Sequence, residues 1–365
     1  MTVRRADVAR LAGTSPSVVS YVLNGGPRGV AEETRQRVLA AIEELGYRPN
    51  GIARSLRMAR TMTLGLVVPD NANPYFAELA RAIEEESFAE GYTLLIGNSS
   101  EDDDRQTTYV QTFLARQVDG LFLVPAHGPL RCLPDLQRAK TPWVTLDRAV
   151  PGIAPAVLVD NHGGAYAATR HLLDHGRRRI ACLAGPQDVM PATDRVAGWR
   201  SALAEAGVRP DAMSLWHAPF GRQAGYSAAR TMLAEEDRPD AIFVASDEQA
   251  MGVLRAIAEL GLVCPDEVAI ASFDGVAAAM YSTPGLTTVQ QPFRLLARAA
   301  VGELMQQLTL SVSDDPGADE EHGTEVLPVR LVRRGSCGCV DPTGGDALQT
   351  GDTELTTFPT ERTEN

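Results

Sequence analysis

The sequence predicts an α/β protein with a small all-α head, followed by a body of two lobes, each built on a parallel sheet. Three observations carry that reading. The 365 residues include 34 basic and 47 acidic side chains, a formal charge of −13, but residues 1–60 hold ten arginines, no lysine and five acids, so a head of +5 precedes a remainder of −18. Apolar spacing is helical through the head. From Thr63 onward it alternates between short apolar runs and helical stretches, as in successive βαβ units. The alternation restarts after Asp160, so the body holds two lobes, each long enough for its own core.

In the head, residues 5–12 place Val8, Leu11 and Ala12 on one helical face, and Gly13 ends the run. Ser15 before Pro16 is an N-cap followed by proline at the first helical position, and Val18, Val19, Val22 and Leu23 supply the next apolar face. A third helix runs from about Glu32 to Leu45, with Val38, Ile42 and Leu45 on one face and Gly46 as its stop. Asn50 can cap a short helix carrying Ala53 and Leu56. Gly51 weakens that helix by about 1 kcal/mol relative to alanine, so it is expected to fold only on docking.

In the first lobe, strands are expected at 63–68, 92–97, 119–124 and 143–147, with helices at 76–90, 102–116 and 130–139. In the second, strands fall at 180–184, 214–218, 241–245 and 268–273, and helices at 163–175, 194–206, 222–234 and 248–260. A helix at 293–308 and a strand at 326–333 complete the body. The expected division is a head at 1–48, a hinge at 49–61 and a body at 62–340. Within the body, an N-lobe takes 62–160 plus 292–310 and a C-lobe takes 161–291 plus 324–336. Ser311–Gly323 and residues 341–365, polar and acidic, read as solvated flexible segments.

Several function classes have no support. No run approaches the roughly 20 apolar residues that span a bilayer, and Met1–Asp7 has no apolar signal region, so a cytoplasmic protein with no membrane association is expected. Five cysteines, at 132, 182, 264, 337 and 339, are odd in number and sparse, which fits a reducing compartment. Cys337-Gly338-Cys339 is the only close pair, and no further ligand stands near it in sequence, so neither a metal nor a cofactor is expected. His171 and His175 share a helix face but lack a glutamate between them, and they read as solvating a helix end. Nucleophile-elbow, Walker and dinucleotide-binding motifs are absent, so an enzyme is not expected.

The basic head points instead to nucleic acid. Ala9-x3-Gly13-x5-Val19 has helix-turn-helix spacing: a small residue where the helices approach, glycine at the turn and valine locking the second helix. That second helix would enter the major groove, with Ser15, Pro16, Ser17 and Tyr21 facing outward. Small and apolar residues beside arginines after Asn50 suit a minor-groove wedge.

These motifs, together with Asp7-Val8-Ala9, Val22-Leu23-Asn24, Glu33-Thr34-Arg35, Tyr47-Arg48-Pro49-Asn50 and Ala53-Arg54-Ser55-Leu56, resemble those of the LacI/GalR family of bacterial transcriptional regulators. The resemblance continues in order through Asn73-Pro74-Tyr75-Phe76, Leu146-Asp147-Arg148, Arg195-x2-Gly198, Ala245-Ser246-Asp247, Phe273-Asp274 and Leu331-Val332-x-Arg334, covering about residues 3–339. It implies a periplasmic-binding-protein-like body and a homodimer on a palindromic operator in double-stranded DNA. It also implies a recognition helix over Ser15–Asn24, so that Ser20 and Asn24 join the DNA contacts, as does Arg35. In a hinge helix with Asn50, Ala53 and Arg54, Leu56 would be wedged into the central base step.

Two departures matter. Tyr21 stands where arginine is common, and it lacks the bidentate fork that reads guanine. Ala31 stands where a Ser or Thr cap is usual, so the third helix should be slightly weaker.

In the body, Asp147-Arg148, Asp247 and Asp274 each follow a strand, where open α/β sheets bind ligands, and Arg195 lies at a helix start. The resemblance implies an effector pocket of Phe76, Arg148, Arg195, Phe220, Asp247, Asp274 and Gln291. Carboxylates, guanidinium forks and aromatic faces suit a sugar or similar polyhydroxylated molecule. The expected function is a ligand-responsive repressor of a carbohydrate or related catabolic operon. The alternatives are a solute-binding protein or a sugar-acting enzyme on the same two-lobed scaffold.

Overall fold

The computed structural model describes residues 3–24, 29–48, 60–150, 155–209, 214–310 and 323–340. They form two compact units, dividing between Thr61 and Met62. The hinge segment around Asn50–Leu56, the acidic stretch up to residue 322 and the tail from 341 lie outside the described residues.

The first unit holds helices α1 (Arg5–Leu11), α2 (Pro16–Asn24) and α3 (Glu32–Leu45). Val8, Ala9, Ala12, Val19, Val22, Val38 and Ala41 make its core. Leu11, expected on the inner face, is 47% exposed, and the small Ala9 is buried in its place, which lets α1 and α2 pack closely. Ser15 Oγ accepts from Val18 N at 3.3 Å, capping α2. Gly13 turns the chain between α1 and α2 at φ +61°, a conformation that costs glycine little. Ala31 makes no side-chain cap on α3, and the left-handed Gly46 ends that helix.

The second unit begins with β1 (Thr63–Val68), α4 (Pro74–Ala89), β2 (Thr93–Asn98), α5 (Asp103–Ala115), β3 (Gly120–Leu123), α6 (Leu133–Ala139), β4 (Trp143–Leu146) and β5 (Ala156–Val159). Then come α7 (Asn161–Asp174), β6 (Ile180–Ala184), α8 (Met190–Glu205), β7 (Leu215–His217), α9 (Arg222–Met232), β8 (Ala241–Val244), α10 (Asp247–Glu259) and β9 (Ala269–Asp274). After a 3-10 turn at Ala277–Tyr281 follow β10 (Thr287–Gln290), α11 (Phe293–Leu310), β11 (Thr324–Leu327), β12 (Arg330–Val332) and a 3-10 turn at Gly335–Cys337.

Two six-stranded sheets result, in the orders β11-β5-β4-β3-β1-β2 and β12-β10-β9-β8-β6-β7. All pairs are parallel except β10 with β12. In each sheet the order reverses beside the first strand of the lobe, β1 or β6, which opens a crevice at the carboxyl ends of the strands. The chain crosses between lobes at Asp160, at Gln291–Pro292 and at Pro328–Val329.

The last crossing corrects the expected boundary. Residues 324–336 are not one C-lobe element, since β11 pairs with β5 in the N-lobe and only β12 joins the C-lobe. Proline at 328 lacks an N–H and interrupts what reads as a single strand. The sequence pattern does not predict the four-residue β5 and β10. Among the described residues no helix is long and apolar enough to cross a membrane.

Candidate effector pocket and DNA-binding head

In the head, Ser15, Pro16 and Ser17 are exposed at the N-terminal end of α2, Tyr21 is half-buried on the same helix, and Arg35 is exposed on α3. Ser20, next to Val19 on the same helix, is largely buried at 9% exposure. Asn24 ends α2. Asn50, Ala53, Arg54 and Leu56 lie outside the described residues.

In the body, the strand ends converge on a cleft lined by Asn73, Tyr75, Phe76, Asp147, Arg148, Pro191, Arg195, Phe220, Ser246 and Asp274. Two of its carboxylates sit on backbone that disfavours side chains, Asp147 at φ +62° and Asp274 at φ +116°; such strain clusters at ligand sites. Arg195 is buried, with Nη1 donating to Ala245 O at 2.6 Å and to Asp274 Oδ1 at 3.3 Å, and Nε to Asn161 Oδ1 at 2.8 Å. Its guanidinium lies 3.8 Å from the centre of the Phe273 ring.

Arg148 makes a two-pronged pair with Glu101 at 2.8 Å on each arm and donates to Pro125 O at 2.8 Å. Its Nε stands 3.5 Å from Asp147 Oδ2 without a hydrogen bond. Burial works against its charge, but the pairs with Glu101 and Asp147 outweigh that and hold the guanidinium above its ordinary value.

Tyr75 connects the lobes. Its hydroxyl lies 2.9 Å from Asp147 Oδ1 and 3.2 Å from Gln291 Oε1, and burial followed by the nearby carboxylates raises its pKa well above the usual phenol value. Gln291 itself stands behind the pocket wall, donating to Asp274 Oδ1 at 3.0 Å. Burial pushes the Asp274 carboxyl upward; Arg195 opposes this, and Asp247 and Asp147 add to it. Two further contacts bridge the lobes: Ala277 N donates to Glu78 Oε1 at 2.8 Å, and His127 Nδ1 lies 2.7 Å from Asp188 Oδ2.

Asp247 is not part of this wall. It is fully buried, accepting from Ser272 Oγ at 2.5 Å, Thr288 Oγ1 at 2.7 Å and Val276 N at 2.9 Å, so it ties α10 to β9 and β10. The cap of α10 is Ser246, not Asp247. Asp147, placed by the sequence at a ligand-binding strand end, lines the pocket, whereas sequence reasoning missed Asn73, Tyr75, Pro191 and Ser246. Three of these adjoin residues quoted in the same motifs, and Pro191 opens α8 earlier than its apolar spacing predicts.

Cys337 and Cys339 have no ligand near them in sequence, but they do in space. Folding brings His171 and His175 of α7 against them, with the four potential ligand atoms within 4.8 Å of one another.

A three-helix unit with helix-turn-helix geometry and a two-lobed α/β unit with a polar interlobe cleft, in one chain, define a ligand-responsive DNA-binding transcriptional regulator. Residues 6–50 match the model for "Bacterial regulatory proteins, lacI family", and residues 169–337 match a periplasmic binding protein-like domain. The chain is 37% identical over 336 residues to the ribose operon repressor of Escherichia coli strain K12, covering 90% of this chain and 98% of that one. It is 36% identical over 331 residues to the transcriptional repressor PurR of Erwinia tasmaniensis, covering 90% and 95%. Among solved structures, the Lac repressor dimer bound to operator and the anti-inducer ONPF aligns at TM-score 0.79 and 28% identity, covering 92% of this chain and 99% of that one. A CelR–cellobiose complex aligns at TM-score 0.67 and 30% identity, with the same coverage. The chain belongs to the lacI family of bacterial regulatory proteins.

Proposed function

We propose that the chain acts in the cytoplasm as a homodimeric repressor of a carbohydrate or related catabolic operon, with a sugar or similar polyhydroxylated effector bound between its lobes and no catalytic turnover. The pocket wall carries this reading. Asp147, Asp274, Arg148 and Arg195 can pair with hydroxyls, while Phe76 and Phe220 offer faces for the C–H side of a sugar ring. The ribose operon repressor among the relatives and the cellobiose complex among the structures support the same ligand class.

Two heads per dimer suit a palindromic operator. Ser15, Pro16, Ser17, Tyr21 and Asn24 would read bases and Arg35 would hold phosphate, while Asn50, Ala53, Arg54 and Leu56 would enter the minor groove. The Tyr75–Gln291 and His127–Asp188 contacts span the cleft between the lobes, and a sugar seated there would displace them. That movement gives effector and operator the different preferred states that allostery needs.

Calorimetric titration with D-ribose and cellobiose tests the pocket. One of them should bind, bind at least about tenfold more weakly to Arg195→Ala, and shift operator affinity by the same factor by which operator shifts its own. Failure of both to bind, or unchanged binding by the variant, would overturn the assignment. Genome-wide mapping of bound sites supplies the operator.

A further inference from the structure

The end of α7 and the turn after β12 meet in a cluster of metal-ligating side chains that the effector pocket does not use. His171 and His175, one helical turn apart, share a face, with ring centres 4.6 Å apart. His171 Nε2 lies 3.2 Å from Cys337 Sγ and 3.5 Å from Cys339 Sγ, and His175 Nε2 lies 3.3 Å from Cys339 Sγ. A tetrahedral zinc with Zn–S of about 2.3 Å and Zn–N of about 2.0–2.1 Å has N···S edges of about 3.5 Å, so these separations need change by only a few tenths of an ångström.

The backbone is shaped to the same end. Gly338 sits at φ +100° between the two cysteines and reverses the chain so that both sulfurs face the helix. A Cβ at that position would stand 3.6 Å from His175 Nδ1. All five cysteines are free thiols. His171 and Cys337 are buried, Cys339 is half-buried and His175 is exposed, so the cluster has a closed wall and an entrance from solvent. Thr287 Oγ1, 3.0 Å from Cys337 Sγ, is an outer partner able to orient that ligand.

We propose that His171, His175, Cys337 and Cys339 form a tetrahedral site for a zinc ion that ties the C-terminal end of the body to α7. Two thiolates and two imidazoles select zinc over oxygen-seeking magnesium or calcium. Four protein ligands leave no open position, so the role is structural rather than catalytic.

The full-length, untagged protein, purified under reducing conditions without chelator, is the material for the test. Elemental analysis should find one zinc per chain. Replacement by cobalt should give the visible bands of a tetrahedral ion together with thiolate charge transfer. His175→Gln changes an exposed side chain and Cys339→Ser is nearly isosteric at a half-buried one, so both should fold, with unaltered circular dichroism. Each should lower zinc affinity by more than about 100-fold, the upper range for losing even an outer partner. Reduced protein that takes up no zinc on dialysis against it, or variants that hold zinc as tightly as the parent, would overturn the proposal. So would protein isolated with a Cys337–Cys339 disulfide in place of metal.

Discussion

Arg195 shows how one side chain can serve packing and ligand recognition together. Its fork spans Asn161, Ala245 and Asp274, and its plane lies over Phe273. Arg195→Lys keeps the charge and loses the fork, so effector affinity should fall at least about tenfold by calorimetry. Asp274 yields a pH prediction. A carboxyl raised on folding binds its proton in the folded state at pH values where the unfolded chain has released it. Stability is therefore lost as pH rises above the ordinary aspartate value near 4. Denaturant melts between pH 5 and 8 should show a more negative slope of stability against pH for the parent than for Asp274→Asn, the difference reporting Asp274 together with the neighbouring carboxylates it couples to. Arg195 and Asp274 were legible in the sequence because each sits in a motif where an expected strand or helix begins or ends. Asp247 shared that signal, but its partners Ser272 and Thr288 lie 25 and 41 residues away, and only packing reveals that they consume its oxygens.

At the scale of elements, the helices and most strands, the four-residue β3, β4 and β8 included, follow from local pattern, while β5 and β10 depend on neighbours. α2 is specified within its own span by the Ser15 cap, Pro16 and a valine face. The head is small, so its stability rests on few buried groups. Val19→Ala removes two fully buried methyl groups at a cost of about 2 kcal/mol and should lower the melting of the head while leaving the transition of the body unchanged, as read by calorimetry. β5, β10 and β11 have four residues each, and their membership in a sheet is decided by pairing across the lobe. The strand expected at 326–333 divides between lobes for that reason: β11 finds β5 while β12 finds β10.

For the whole molecule, the charge division is the feature that composition alone conceals. A +5 head can be held by phosphate, and the rest of the chain, at −18, should be repelled by it, which leaves contact to the head. A chain beginning at Met62 should therefore keep its calorimetric response to the effector and lose operator binding in a gel-shift assay; surviving DNA binding would show that the head is not the reader. The sequence by itself determined the helical head, the two α/β lobes and the class of residue at their strand ends, because caps, periods and charges are local properties of the chain. Tertiary structure alone decided which of those residues face the cleft, how 324–332 is shared between lobes, and that His171 meets Cys337 across 166 residues. Those outcomes depend on contacts between segments far apart in the chain, and neither local spacing nor composition encodes such distances.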